Sequence, residues 1–462
     1  MVYEIILGRN EEEKKKFGSK GTIFIGKSYV KMGQTTSLAN RMLLDVARTH
    51  VILVSGKRGS GKSYGLSVMA EEMTLLPEEI AKNLSIIMFD TMGIFWTMKY
   101  PNLREYRLLE EWDLKPKGMN INLFVPEGHF SEYKKKGLPV DFTFTLKTSE
   151  LGASDWCDVF EVSLTGQIGI LIELTLAELR KIFGDKYDLI DIEKAIEKNK
   201  KIKQTVKYAA LNMFKNVKTW GLFSKDGTTV NDLIRRGEVS VLDLSAYTYI
   251  SGNWNIKSLV VGLICKQLLA QRIASRKLEE LEDIESQEML FLDVEKELEK
   301  PLVWIMIDEC QEFLPRVGKT SASDMLIQLL REGRQPGISM VLATQQPGEV
   351  SKEVLTQSDI LISHRLTAKL DIEALNTIMQ SYLLSDIQDF MNGLPRLKGS
   401  AIVLDDNSER IYPMRVRPKM SWHGGESPSA IKSDKEKELL ENLNIEANSE
   451  DMGRIGSAFD FF

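Results

Sequence analysis

The chain has 462 residues, enough for two or three domains with a sizeable core. Hydrophobic residues make up 43% and charged residues 27%, which excludes a disordered chain. The formal net charge is −6, so any nucleic-acid contact must use a local basic patch or the interior of a ring.

In chain order, Glu4 and Arg9 interrupt the apolar start, and no signal peptide is predicted. Arg9–Lys16, RNEEEKKK, sets Glu before Lys at i,i+4 spacing and reads as a solvated turn or helix. Thr22–Val30 reads as one or two short strands around Gly26, joined to a main sheet or set in a small β-subdomain. Residues 1–47 are therefore set apart as a short β-containing segment. Val51–Ser55 is apolar or small and largely β-branched, as a buried strand is. It runs into G-x-x-x-x-G-K-S, followed by a helix with Leu66, Met69, Ala70 and Met73 on one face. Leu84–Asp90 is a second buried strand and Ile121–Val125 a third. Asp90 ends at the edge where α/β sheets place their chemistry.

From residue 149 to 236 the apolar residues follow helical spacing and strand signals are absent, which predicts a helical insertion. Its lysine-rich middle, Lys194–Lys207, reads as a solvated helix face ahead of a DNA contact. Val239–Ser245 returns to strand, and Ile256–Leu281 is a long helix. Glu279–Lys300 reads as an acidic loop or exposed helical excursion. Val303–Ile307 is a strand running into Asp308 and Glu309, with a helix at Ser323–Glu332 and strands at Ile338–Ala343, Ile360–Ser363 and, last, Ser400–Leu404. This alternation predicts an α/β fold with a mostly parallel, doubly wound sheet. The core is placed at 48–148 and 237–421, and 422–462 is read as a C-terminal tail. That tail ends in IGSAFDFF, Ile455–Phe462, read either as docking onto the protein itself or as a partner peptide. The cysteines, Cys157, Cys265 and Cys310, lie far apart, form no metal spacing and point to a reducing, cytoplasmic setting. The longest apolar stretch, Ile168–Leu179, contains Glu173 and Glu178, so no membrane span is predicted.

Strand, glycine loop and helix are the context of a phosphate-binding P-loop. Gly56, Lys57, Arg58, Gly59, Ser60, Gly61, Lys62, Ser63 and Tyr64 form the expected nucleotide site. The glycines let successive N–H groups face the β- and γ-phosphates of ATP, and the helix N-terminus adds partial positive charge. Lys62 supplies a full charge, and Ser63 is placed to ligate Mg²⁺. Asp308 reads as a second Mg²⁺ ligand, and Glu309 as the group that polarises the attacking water. Gln345, ending the next strand, can bond both that water and the γ-phosphate; Gln346 is its close competitor. Arg331 and Arg334, in REGRQPG, stand where a ring subunit meets its neighbour, and one of them is expected to reach the neighbour's ATP. No N-K-x-D motif points to a GTPase, and no L-S-G-G-Q signature to a transporter ATPase.

In combination, GKRGSGKS, IDECQEFLP, REGRQPGISMVLATQQP, ILISHRL with Asp371, and GLPRLKGSAIVL resemble the HerA branch of the HerA/FtsK ATPases. The resemblance covers most of residues 48–420 and implies a RecA-like core. It further implies a homo-hexameric ring with ATP sites between subunits, pumping double-stranded DNA. Carried over, Lys62 and Ser63 match Walker A, Asp308 and Glu309 Walker B, Gln345 the sensor and Arg334 the trans arginine. Arg365 lies in the post-sensor strand and is expected near a subunit boundary. Cys310 and Gln311 depart from the family's DEAH-like run, a change expected to leave the chemistry intact. Only about 47 residues precede the core, too few for the larger N-terminal β-barrel that docks a nuclease in archaeal members. A nuclease or other effector partner thus stays open, as does an alternative function: an ATP-gated scaffold that assembles an effector without moving DNA.

Overall fold

The computed structural model describes residues 4–32, 35–200, 202–249, 256–288, 300–379 and 387–425. Its strands are β1 (Glu4–Leu7), β2 (Thr22–Met32), β3 (Thr35–Asp45), β4 (Val51–Ser55), β5 (Leu84–Asp90), β6 (Ile121–Pro126), β7 (Phe142–Phe144) and β8 (Leu146–Lys147). They continue with β9 (Phe223–Ser224), β10 (Val239–Asp243), β11 (Leu302–Ile307), β12 (Ile338–Thr344), β13 (Ile360–His364), β14 (Ser400–Asp405) and β15 (Arg410–Val416). Among the described residues, thirteen strands form one sheet in the order β1-β3-β2-β15-β14-β13-β4-β12-β11-β5-β10-β6-β7. From β13 to β7 every neighbouring pair is parallel.

The central strands are aliphatic on both faces because both faces are covered. Along β4, Leu53 packs into one core while Ile52 and Val54 pack into the other. The same alternation puts Ile87 and Phe89 of β5 on the first side and Ile86 and Met88 on the second. Parallel pairing brings the C-terminal ends of β4, β12 and β11 together at one edge of the sheet, and the P-loop leaves from that edge.

The N-terminal strands join this sheet. β2 pairs antiparallel with β15 through Gly26, Lys27 and Ser28, and β3 and β1 extend it outward. β15 lies beyond Ser400–Leu404, which the sequence reading took as the last strand. Helix α1 (Glu11–Phe17) is capped by Asn10 and buries none of its own side chains, but Arg9 before it is buried. Four helices, Ala153–Phe160, Gln167–Phe183, Leu189–Lys198 and Gln204–Lys218, lie where helical spacing was predicted. Trp156, Phe160 and Phe214 pack there at ring separations of 5.0–5.7 Å. Strand is not absent from that stretch, since β9 pairs in parallel with β8. Lys207 also departs from the solvated reading: it is buried, and its Nζ donates to the Glu197 carbonyl at 2.7 Å, capping the preceding helix. The long helix runs Ile256–Glu288, past Leu281. The rest of the acidic stretch to residue 299 and the Ile455–Phe462 segment lie outside the described residues.

A buried charge cluster ties the N-terminal strands to the core. Arg9 pairs with Asp45 at 2.8 Å, and His50 Nδ1 lies 2.6 Å from Asp359 Oδ2. His50 Nε2 faces Asp45 Oδ2 at 3.6 Å. Burial works against the imidazolium, but the Asp359 and Asp45 carboxylates outweigh it and raise His50 to about 9. The folded value lies above the unfolded one. The stabilisation is therefore complete below about pH 6.5 and is lost as pH rises through about 9. It amounts to ~3 kcal/mol on the usual conversion. Melting temperature should fall between pH 7 and 10, and the fall should be much smaller in His50→Gln. An equal fall in that variant would refute the assignment.

Candidate nucleotide site

The loop between β4 and helix α2 (Lys62–Thr74) is sewn to the neighbouring strands by backbone hydrogen bonds. Gly56 N donates to the Thr344 carbonyl at 3.3 Å, and Lys57 N to the Arg365 carbonyl at 3.4 Å. Gly61, at φ +114°, occupies the N-cap of α2 in a left-handed conformation and offers no side-chain cap. The first N–H groups of α2 are thus left for an anion. A side chain on Gly56 would collide with Ser60 and His364, because the loop curls against the end of β13. Lys57, Arg58 and Gly59 form the exposed tip, and Ser60 is half-buried.

Lys62 is buried beneath this loop, where its Nζ is 3.4 Å from the Lys57 carbonyl. Burial draws its ammonium below the ordinary lysine value, against the pull of Glu309 and Asp308. Ser63 donates its hydroxyl to Asp308 Oδ2 at 2.5 Å, which joins the two expected metal ligands. Burial pushes the Asp308 carboxyl up, opposed by that hydrogen bond. Hard oxygen donors of this kind suit Mg²⁺, which takes few protein ligands and fills its shell with water and phosphate oxygens. Tyr64 turns away from the loop: its hydroxyl donates to Glu105 at 2.9 Å and accepts from Lys419 N at 2.5 Å.

Glu309 has φ +52° and ψ +48°, a left-handed conformation that a non-glycine residue rarely holds. Both of its carboxylate oxygens are engaged by amides. Gln345 Nε2 donates to Oε1, and Gln311 Nε2 donates to Oε2 at 2.7 Å. Gln345 therefore meets Glu309, whereas Gln346 is exposed. Gln311 was missed as a site residue; its signal was a polar side chain two residues beyond the strand-end acid. His364 was missed too. Its Nδ1 lies 3.2 Å from the Ser400 carbonyl, and burial, aided by the Lys62 charge, lowers it to about 4, so the ring is neutral. Asp90 stands apart from the P-loop: its carboxylate accepts from Gly93 N at 2.7 Å and Phe95 N at 2.8 Å. Burial, then the neighbouring Asp243 charge, pushes its carboxyl well above the usual range.

The arginines occupy different places. Arg365 remains beside the P-loop, its guanidinium donating to the Leu394 carbonyl at 3.3 Å. Arg331 pairs with Glu353 at 2.8 Å. Arg334 is exposed just before β12, with no side-chain hydrogen bond or ion pair among the described residues. The length of β12 separates it from Gln345 by roughly 20 Å, beyond the reach of an arginine toward its own P-loop. Its loop is anchored by Thr49 Oγ1 on the Arg334 carbonyl and by buried Arg272 on the Pro336 carbonyl, at 3.3 and 2.7 Å.

A parallel sheet with a glycine loop at its C-terminal edge, and an acidic strand end beside that loop, defines a P-loop ATPase. A family model for the central domain of helicase HerA matches residues 30–271, more than half of the chain, and the chain belongs to that family. Asp308, Glu309 and Gln345 lie beyond the matched residues. The DNA double-strand break repair helicase HerA of Pyrococcus furiosus is 23% identical over 210 residues, 42% of this chain and 37% of that protein. The probable DNA double-strand break repair helicase HerA of Methanocaldococcus jannaschii is 26% identical over 155 residues, 31% of each chain. The matches thus span about a third of these relatives. The structure of VirB4 of Thermoanaerobacter pseudethanolicus shares the fold, with a TM-score of 0.53 and 12% identity over 86% of this chain and 96% of that one.

Proposed function

We propose that this chain is the motor core of a homo-hexameric ring that hydrolyses ATP with Mg²⁺ at subunit interfaces and moves double-stranded DNA. The observation that carries this reading is a division within one subunit. Lys62, Ser63, Asp308 and Glu309 gather at one edge of the sheet, and Arg334, without a side-chain hydrogen bond or ion pair among the described residues, stands at the other. A neighbouring copy supplies the missing arginine to each site. In our reading the loop amides and Lys62 hold the β- and γ-phosphates, and Ser63 and Asp308 hold the metal. Mg²⁺ offsets phosphate charge. Glu309 takes the proton of the attacking water, Gln345 moves to water and γ-phosphate, and Arg334 meets the charge of the neighbour's transition state.

The division into a core at 48–148 and 237–421, a helical insertion at 149–236 and flanking segments at 1–47 and 422–462 belongs to the same proposal. So do a cytoplasmic location and a docked nuclease or other effector protein. Among the described residues no helix is long and apolar enough to cross a membrane. Particle images with ATP and duplex DNA test the central claim. A six-fold ring with DNA in its channel is the expected result, and a monomer would refute it. ATP-dependent assembly without DNA-stimulated hydrolysis would favour the scaffold instead. Lys62→Ala should lose most ATP affinity and turnover, measured by calorimetry and phosphate release. Undiminished affinity would place the nucleotide elsewhere.

A further inference from the structure

We infer that Gln311 is a positioning residue for ATP hydrolysis, tying the end of β12 to the Glu309 carboxylate. This rests on the ATPase reading above. The Thr344 hydroxyl, at the end of β12, donates to Gln311 Oε1 at 2.8 Å. Gln311 Nε2 donates to Glu309 Oε2 at 2.7 Å. The polarity of this bridge is fixed by chemistry. An ionised carboxylate only accepts, so the amide NH₂ must face Glu309, leaving its carbonyl for the hydroxyl of Thr344. Thr344 is fully buried, which makes the far end of the bridge rigid.

Glu309 has two amide partners, and they differ in what they can do. Gln345 is the residue read as moving to the γ-phosphate. When it leaves, Oε1 is freed to accept a proton from water, while Gln311 keeps hold of Oε2. The carboxylate then has one fixed oxygen and one working oxygen. Water attacks the γ-phosphorus, its proton passes to Glu309 Oε1, the bond to the β-phosphate oxygen breaks, and ADP and inorganic phosphate result. The Glu309 backbone is held by its own hydrogen bonds, from its N–H to Asp308 Oδ1 at 2.9 Å and from Glu312 N to its carbonyl at 2.9 Å, but without Gln311 its carboxylate loses the contact that fixes Oε2 and aims Oε1 at the water. The catalytic geometry then depends on a side chain free to rotate.

Three variants test this in the full chain by steady-state ATP hydrolysis. Gln311→Met keeps length and loses both hydrogen bonds. It should lower kcat by roughly 10–100-fold with KM for ATP unchanged within about twofold, the scale of a misplaced catalytic group. Gln311→His can present one N–H to Glu309 and one acceptor to Thr344, and should restore most of the loss. Gln311→Asn keeps the amide but is too short to span both partners, and should not. A Gln311→Met enzyme with wild-type kcat, or one with KM and melting temperature altered but kcat unchanged, would overturn the positioning role. Failure of Gln311→His to exceed Gln311→Asn would do the same. If wild-type protein bound ATP but did not hydrolyse it, the ATPase reading itself would fall, and this inference with it.

Discussion

Glu309→Gln is expected to bind ATP and keep it. The substitution preserves the length of the side chain and leaves Lys62, Ser63 and Asp308 in place, so the phosphates and metal should still be held. It removes the group read as taking the proton from the attacking water. General-base removal typically costs 10²–10⁴-fold, and turnover should fall by about that factor. The amide would also meet Gln345 and Gln311, whose NH₂ groups now donate to a carboxylate. One donor of the pair would have to turn away, so the neighbouring side chains as well as the base should change. Nucleotide retained after gel filtration and single-turnover hydrolysis measure the two effects separately. Normal turnover would show that the base lies elsewhere, with Asp308 the next candidate.

Arg334→Ala should cut the rate by a comparable factor while sparing nucleotide binding. Trans arginines of this kind contribute on the order of 10³-fold or more. Among the described residues its side chain has no hydrogen bond or ion pair to lose, so the variant should fold and melt as wild type. Arg331, in contrast, already spends its guanidinium on Glu353. Co-expressing Arg334→Ala with Lys62→Ala should recover some hydrolysis, because some interfaces then join an intact P-loop to an intact arginine. Full activity in an Arg334→Ala monomer would refute both the trans role and the ring. A defect in Arg331→Ala alone would keep the architecture and exchange the two arginines.

The P-loop was legible because its glycines, lysine and flanking strand and helix all sit within a few residues of one another. Asp308 and Glu309 were legible for a similar reason, since a short apolar run ending in acids has few other uses. Gln311 was not, because its importance lies in reaching Thr344 on a different strand, and only the pairing of β11 with β12 brings them together. The cluster of Arg9, Asp45, His50 and Asp359 is hidden in the same way, as ordinary polar residues far apart in sequence. β15 escaped notice because RIYPMRV carries a proline and two arginines, a composition that argues against a buried strand. It is mostly half-exposed and pairs with β2 through only its last three residues, so that pattern is tolerated. Arg334 could be nominated from REGRQPG, but its distance from its own P-loop emerged only with the fold.

The pairing of β2 with β15 also governs how the protein is made. Gly26–Ser28 must wait for Met414–Val416, and ribosomes add roughly 5–20 residues per second. The open edge of β2 is thus exposed on the nascent chain for roughly 20–80 s. Over that interval an unpaired strand is a template for pairing with any other chain nearby. The long wait sets a demand for chaperone cover during synthesis, and it leaves stalled or truncated products that lack β15 with that edge of β2 open.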